Sequence, residues 1–305
     1  MVEHYRVCVA VATLWTSPST PRECDRKALT SPTEIRDWLK GLSQTERRQL
    51  SDDNIIQTQV LYGEKVTLLE KQGDWFKVAA TEQPTSKHEI GYPGWLPAIQ
   101  VIAESQLKAD HTDRKMAVIK QPTAFIYTND GHKMLEVSYQ TTFPLINAFD
   151  KDELRVLTPH GLRLINKHDA TIYPNFAHIP RPKGMDLVKS GEMFLGLPYL
   201  WGGISGFGFD CSGFTYTLHK AWGIVIPRDA SDQASQGVSI VQTDCQPGDL
   251  VFFAKDKGRG PVYHVGLYHG KGCMLHAPSS GKGIEIVVID ETVHRDNICG
   301  VKRCY

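Results

Sequence analysis

The 305 residues carry no excess of either charge, since 34 Lys and Arg stand against 34 Asp and Glu. No block of one sign breaks the balance. The basic footprint of a nucleic-acid binder or a polybasic membrane binder is therefore missing, and a charged ligand has to be caught by a local site. No apolar run reaches the roughly 18 residues that a spanning helix needs, so no membrane partner is expected. The seven cysteines, Cys8, Cys24, Cys211, Cys245, Cys273, Cys299 and Cys304, are odd in number and dispersed, without a C-x-x-C pair. Neither a disulfide framework nor a zinc ribbon is written that way, which predicts a reducing compartment. The opening "MVEHYRVCVAVATLWTSP" has an acidic flank at Glu3 and lacks the basic and long apolar regions of a secretory signal. A cytoplasmic protein is the expectation, although a leader cleaved beforehand would leave the same residues behind. A hydrophobic content of 41%, with 26 Gly and 17 Pro, is that of an ordinary globular chain. Its length suits two or three domains, each with its own core.

From Arg6 to about Ile102 the pattern is short and alternating, in "VCVAVATLW", "EKVTLLEKQGDWFKVAA" and "GYPGWLPAIQV". Period two with Gly-Asp turns predicts a small β-barrel. Within it, "SPTEIRDWLKGLSQTERRQL" places Ser31 and Glu34 in a capping-box arrangement, with Ile35, Trp38, Leu39 and Leu42 at helical spacing. A helical excursion is expected there, most simply a surface decoration. From about Lys108 a second β-rich unit follows, "MAVIKQPTAFIYT", "KMLEVSYQTTFPLIN" and "ELRVLTPHG", echoing the first strand for strand without a sequence repeat. Pro174, Pro180 and Pro182 then stiffen a linker. Beyond it the pattern becomes mixed. "MDLVKSGEMFLG" and "CSGFTYTLHKAWG" read as helices stopped by Gly196 and Gly223, and "DLVFF", "YHVGLYH" and "CMLHAP" read as strands. The boundaries implied are 1–105, 106–180 and 181–305.

The chemistry is expected in the last part. A thiol attacks as its thiolate, so a catalytic cysteine wants a neighbouring base or the positive end of a helix. Cys211 sits where a helix begins, after the Gly-bearing "SGFGFD". His264 alternates with Val265 and Leu267, which predicts an imidazole turned away from the apolar face of its strand, and His276 alternates in the same way with Met274. Two neighbouring strands can thus present both imidazoles to Cys211. His264 would take the thiol proton, and His276 would orient it through the other ring nitrogen.

The motifs "GLPYLWGG", "FDCSGF", "IPRDASDQ", "QPGDLVFF", "HVGLY" and "MLHAP", in order from Gly196 to Pro278, resemble the NlpC/P60 family of papain-like cysteine peptidases. "LYGEKV", "GDWFKV" and "GYPGWLP" are similar to bacterial SH3 (SH3b) domains. The resemblance implies a multidomain α+β architecture, two SH3-like β-barrels followed by a papain-like domain. It also implies a γ-D-glutamyl-L-diamino-acid endopeptidase of YkfC type, with Cys211 as nucleophile, His264 as base and His276 as the orienting member. Tyr199, Trp201, Asp210, Ser212, Arg228 and Asp229 would line the substrate cleft. Ser212 would meet a substrate carbonyl through its hydroxyl or N–H. Glu64 and Tyr92 from the first barrel would join Asp210 in a pocket for the free amine of an N-terminal L-alanine. The implied partner is a muropeptide, L-Ala-γ-D-Glu-diaminopimelate or its lysine equivalent, handled by a monomer without metal or cofactor.

Other readings remain at this point. Cys211, Cys273, His264 and His276 are four ligand types a metal accepts, but Cys273 and His276 stand three apart on one strand and point to opposite faces. A non-catalytic wall-binding protein would leave the filled catalytic positions unused. A less selective wall hydrolase, or an acyl transferase in which an amine takes the thioester, uses the same residues. The ten other histidines, His294 among them, fit no motif and are expected on the surface or in packing. A lesser alternative for Arg228 and Asp229 is a helix-capping pair on the surface. Asp249 in "PGDL" is expected to brace its turn.

Overall fold

The computed structural model describes residues 2–107 and 114–305. The expected start of the second β-rich unit at Lys108, and His111, lie outside the described residues. By its internal contacts the chain forms two compact units. One comprises Met1–Glu82, Ile90–Ile179 and Ser205–Phe207; the other comprises Gln83–Glu89, Pro180–Ile204 and Gly208–Tyr305.

The first unit holds two seven-stranded sheets. In the first the order is Ile56–Leu61, Val11–Trp15, Tyr92–Pro97, Trp75–Ala80, Lys65–Gln72, His4–Val7 and Val101–Ala103, antiparallel throughout. Alternate side chains from all seven strands, among them Val7, Leu14, Val60, Val66, Val78, Leu96 and Val101, meet in one core. A sheet whose two edges feed the same core must curl on itself, as the predicted barrel does. The second sheet runs Lys133–Ser138, Thr123–Tyr127, Gly161–Asn166, Glu153–Thr158, Thr142–Ala148, Met116–Ile119 and Ala170–Tyr173. Numbered along the chain, both sheets have the strand order 3-2-6-5-4-1-7. The echo in the sequence is therefore a repeated topology.

The helical excursion is two helices, α1 (Ile35–Gly41) and α2 (Gln44–Asp52). The capping box belongs to α2, where the Ser43 hydroxyl accepts from Glu46 N and the Glu46 carboxylate accepts from Ser43 N. Ser31 caps nothing, since α1 starts after Glu34. Nor is the excursion a decoration. Trp38 is buried against Trp15 and donates to the buried Asp25 carboxylate at 2.9 Å. Arg36 forks onto Glu136 of the second sheet, with both N–O distances 2.6 Å. Tyr62 likewise belongs to the second sheet's core.

The second unit is built on a six-stranded antiparallel sheet. Its strands are β1 (Val238–Ser239), β2 (Leu250–Ala254), β3 (Val262–Gly270), β4 (Cys273–His276), β5 (Glu285–Val288) and β6 (Ile298–Arg303), in the order β1-β6-β2-β3-β4-β5. Three helices, α3 (Gly184–Glu192), α4 (Cys211–Lys220) and α5 (Ala230–Gln233), pack against β3. Val251, Phe253, Met274, Ile289 and Val301 form a second cluster on this sheet. The central strand β3 is therefore covered on both faces, and His264 through Leu267 are all buried. His264 itself is 3% exposed. Asp249 braces its turn as predicted, accepting from Gln246 N at 2.8 Å and from Arg303 through both oxygens.

Candidate functional site

The site begins with the N-terminus of α4. Asp210 is the N-cap, and its Oδ1 accepts from Gly213 N at 2.6 Å. A carboxylate in that position satisfies a helix-end N–H and suits the positive pole of the helix. The first turn it secures carries Cys211. The helix also lies flush on the preceding loop, for a Cβ on Gly213 would sit 2.1 Å from the Gly203 carbonyl oxygen.

Cys211 is 9% exposed. It lies in the helix that packs against the strand carrying His264, and the backbone N–H groups of Val265 and Ser212 favour its thiolate. These contacts do not make a thiolate. Burial, and next the charge of Asp210, push the thiol up to about 12. The pKa-lowering neighbourhood expected from the sequence is outweighed by desolvation.

His264 is aimed by a β-bulge. Phe253 pairs with His264 and Ala254 with Val262, which leaves Tyr263 as the extra residue on β3. Bulges of this kind kink a strand and redirect a side chain. His264 Nε2 lies 2.7 Å from His276 Nδ1, one proton shared between them. His264 Nδ1 is therefore the nitrogen left for a thiol. Burial, then the neighbouring His276 and His294, hold His264 well below the ordinary histidine range, and burial brings His276 to about 3. Both shifts favour the neutral form, a thiol at Cys211 and an imidazole at His264. Tyr199, Cys211, His264 and His276 all line one cleft of about 730 Å³. Its other walls include Tyr263, Lys282, Glu285 and His294.

Other expected residues take different places. Arg228, expected to line the cleft or else to cap a helix on the surface, is 1% exposed and forks onto Asp210, Nη1–Oδ1 3.1 Å and Nη2–Oδ2 2.7 Å. Asp210 Oδ2 also accepts from Gly202 N at 2.8 Å. The carboxylate expected to hold a substrate ammonium is thus already paired, with both oxygens in use. The Ser212 hydroxyl turns to the same pair, donating to Asp210 at 3.3 Å and accepting from Arg228 at 3.0 Å. Its backbone N–H, by contrast, favours the Cys211 thiolate.

Asp229 is the N-cap residue of α5 without a side-chain cap bond; its carboxylate meets Lys87 at 3.0 Å. Lys87 belongs to the 83–89 segment, whose Pro84 carbonyl accepts from Arg228 N at 2.9 Å and whose Ser86 N donates to Asp232 at 2.8 Å. Trp201 is half-buried in the turn after Tyr199. Tyr199 is buried, its phenol held well above the ordinary value by desolvation and by the nearby Cys211 and Asp210.

Two expectations lie in the first unit. Glu64 is a turn acid, its carboxylate accepting from Leu61 N at 2.8 Å, and it lines a separate cavity of about 270 Å³ with Arg6 and Arg114. Tyr92 is 2% exposed and its ring packs in the first sheet's core.

His294 was missed. Its ring stacks on His264 with centroids 4.6 Å apart and planes at 9°, and its Nδ1 lies 2.9 Å from the Tyr263 hydroxyl. It comes from the loop before β6, where no hydrophobic period or motif marks it in the sequence.

Residues 196–303 match the NlpC/P60 family, and residues 119–173 match the YKFC SH3b2 domain. A γ-D-glutamyl-L-lysine dipeptidyl-peptidase of Bacillus subtilis (strain 168) is 45% identical over 303 residues, covering 99% of each chain. One of the same name from Bacillus cereus (strain ATCC 10987 / NRS 248) is 43% identical, covering 97% of this chain and 89% of its own. A crystal structure of an NlpC/P60 family protein from Bacillus cereus ATCC 10987 superposes with a TM-score of 0.95 at 42% identity, covering 99% of both chains. With relatives aligned from end to end at this identity, the chain belongs to the NlpC/P60 family.

Proposed function

We propose that this chain is a cysteine peptidase that cuts the bond between γ-D-glutamate and the diamino acid of muropeptides bearing a free N-terminal L-alanine. The observation that carries the reading is the meeting of Cys211 with the His264–His276 pair in one cleft, in a chain aligned end to end with γ-D-glutamyl-L-lysine dipeptidyl-peptidases. The Cys211 sulfur attacks the γ-carbonyl carbon as His264 Nδ1 takes the thiol proton. His276, hydrogen-bonded to the opposite nitrogen, holds the ring and its tautomer and stabilises the imidazolium that forms. The carbonyl oxygen gains charge beside the N-terminus of α4, where backbone N–H groups face it. Collapse expels the diamino acid as an amine that receives the proton from His264. A water, deprotonated by the same imidazole, then hydrolyses the thioester and releases L-Ala-γ-D-Glu. Asp210 and Ser212 are committed to Arg228, so the substrate ammonium is met by other groups of the cleft.

We assign the enzyme to recycling of wall peptides in the cytoplasm; seven free thiols support a reducing compartment. No described helix is long and apolar enough to cross a membrane. The test is mass spectrometry of products from L-Ala-γ-D-Glu-L-Lys and the diaminopimelate tripeptide, each with a free and an acetylated alanine. L-Ala-γ-D-Glu should appear from the free forms and fall steeply on acetylation. Equal rates on both forms sink the amine requirement. No turnover of any of them sinks the activity.

A further inference from the structure

We propose that His264, His276 and His294 form a site for a borderline divalent transition-metal cation such as Zn²⁺, and that filling it holds the peptidase off. One ring nitrogen from each of the three lies within 4.8 Å of the others. Metal–nitrogen bonds of about 2.0–2.1 Å in tetrahedral geometry need nitrogens about 3.3 Å apart. Two of the rings stand on β3 and β4, and the third comes from the segment between β5 and β6.

The surroundings of each ring suit the role. His294 gives its Nδ1 to the Tyr263 hydroxyl at 2.9 Å, and that hydroxyl accepts from Asn297 at 3.0 Å. Nε2 of His294 is thereby left for a cation, with the outer hydrogen bond that metal-bound imidazoles usually have. His276 Nε2 is buried without a hydrogen-bond partner, the nearest charge being the Glu285 carboxylate at 3.6 Å. An all-imidazole set suits Zn²⁺, Ni²⁺ or Cu²⁺ better than Mg²⁺ or Ca²⁺, which want oxygen. The Cys211, Cys273, His264, His276 set considered from the sequence is not this cluster; His294 replaces both thiols.

The consequence for catalysis follows from the nitrogens of His264. A cation on Nε2 displaces the proton shared with His276 to Nδ1, the atom that has to accept the thiol proton. A cation on Nδ1 takes that lone pair directly. The base is lost in either case. This consequence rests on the assignment of His264 as base; binding itself does not.

The test uses the full chain stripped with chelator. Titration with ZnCl₂, followed by calorimetry, should show one equivalent bound, and CoCl₂ should develop visible bands of a low-coordinate nitrogen site. His294→Ala and His294→Gln, checked by thermal melting, should each weaken binding at least about tenfold. Both should need correspondingly more Zn²⁺ for half-inhibition, each relative to its own metal-free rate. Cys211→Ala should bind within a fewfold of the parent. No saturable binding, undiminished affinity in both His294 variants, or binding lost in Cys211→Ala would each overturn the proposal. Because binding is read without turnover, it stands or falls separately from the peptidase reading.

Discussion

Arg228 and Asp210 face each other as a buried two-pronged ion pair, with N–O distances of 3.1 and 2.7 Å. The carboxylate in this pair is also the N-cap of the helix that begins with Cys211. Charge neutrality and helix position are therefore held by the same two side chains. Removing one partner strands the other, and a buried unpaired charge costs about 3–5 kcal/mol. Arg228→Met should lower the unfolding free energy by about that much, while Arg228→Met with Asp210→Asn should recover a large part of the loss. Urea unfolding of both variants and of Asp210→Asn closes the cycle. A single variant within about 1 kcal/mol of the parent would mean that the pair is weakly coupled to the fold.

The first turn of α4 has no room to move. Gly213→Ala would place a methyl 2.1 Å from the Gly203 backbone oxygen and 3.0 Å from Asp210 Oδ1. Overpacking against backbone costs about 1–3 kcal/mol or more, so a lowered melting temperature is expected. Cys211 moves with the turn, and kcat should fall more than stability alone explains. Unchanged kcat would show that the turn relaxes without displacing the sulfur.

Much of this arrangement is legible in the sequence, for identifiable reasons. Asp210-Cys211 before a helical run is a cap followed by a nucleophile position, and local chemistry decides both. The strands carrying His264 and His276 show in their alternation. What alternation misses is the bulge at Tyr263, because an extra unpaired residue leaves no trace in a period-two pattern. Both "SPTE" and "SQTE" satisfy the capping-box pattern, and of the two only Ser43 and Glu46 use it, while the first helix starts after Glu34 without a side-chain cap bond. Arg228 and His294 reach their partners across 18 and 30 positions of chain, to Asp210 and His264. No local pattern reports such distances.

His219 makes the fold sensitive to acid. It is fully buried in α4, its Nδ1 bonded to the Thr215 carbonyl at 2.8 Å and its Nε2 without a partner. Burial brings its pKa from 6.5 to about 4. Between those values the unfolded chain binds a proton that the folded one does not, so stability falls as the pH drops through this window. The full contribution is present above pH 6.5, and about 3 kcal/mol of it is gone by pH 4. His264 and His276 act with the same sign. His219→Leu should flatten the dependence of unfolding free energy on pH between about 6.5 and 4 by roughly one group's worth. An unaltered slope would exclude His219 as a source.

The protonation state of the dyad distinguishes two kinds of cysteine peptidase. With the Cys211 thiol at about 12 and His264 well below its ordinary range, the free enzyme holds a neutral pair rather than a thiolate–imidazolium pair. If His264 is the base, it stays unprotonated as the pH falls through 6.5, and the acid limb of kcat/KM should lie below that value. Alkylation reads the thiol separately. Inactivation by iodoacetamide, with modification of Cys211 followed by peptide mapping, should rise log-linearly with pH from about 6 to 10, because the reactive thiolate is a minor species throughout. A preformed ion pair would instead give a rate that levels off at low pH and stays flat across neutrality. A plateau between about pH 5 and 8 would therefore contradict the neutral dyad. It would assign the activating role to Val265 N–H, Ser212 N–H and the Arg228 charge, the three groups that favour the thiolate.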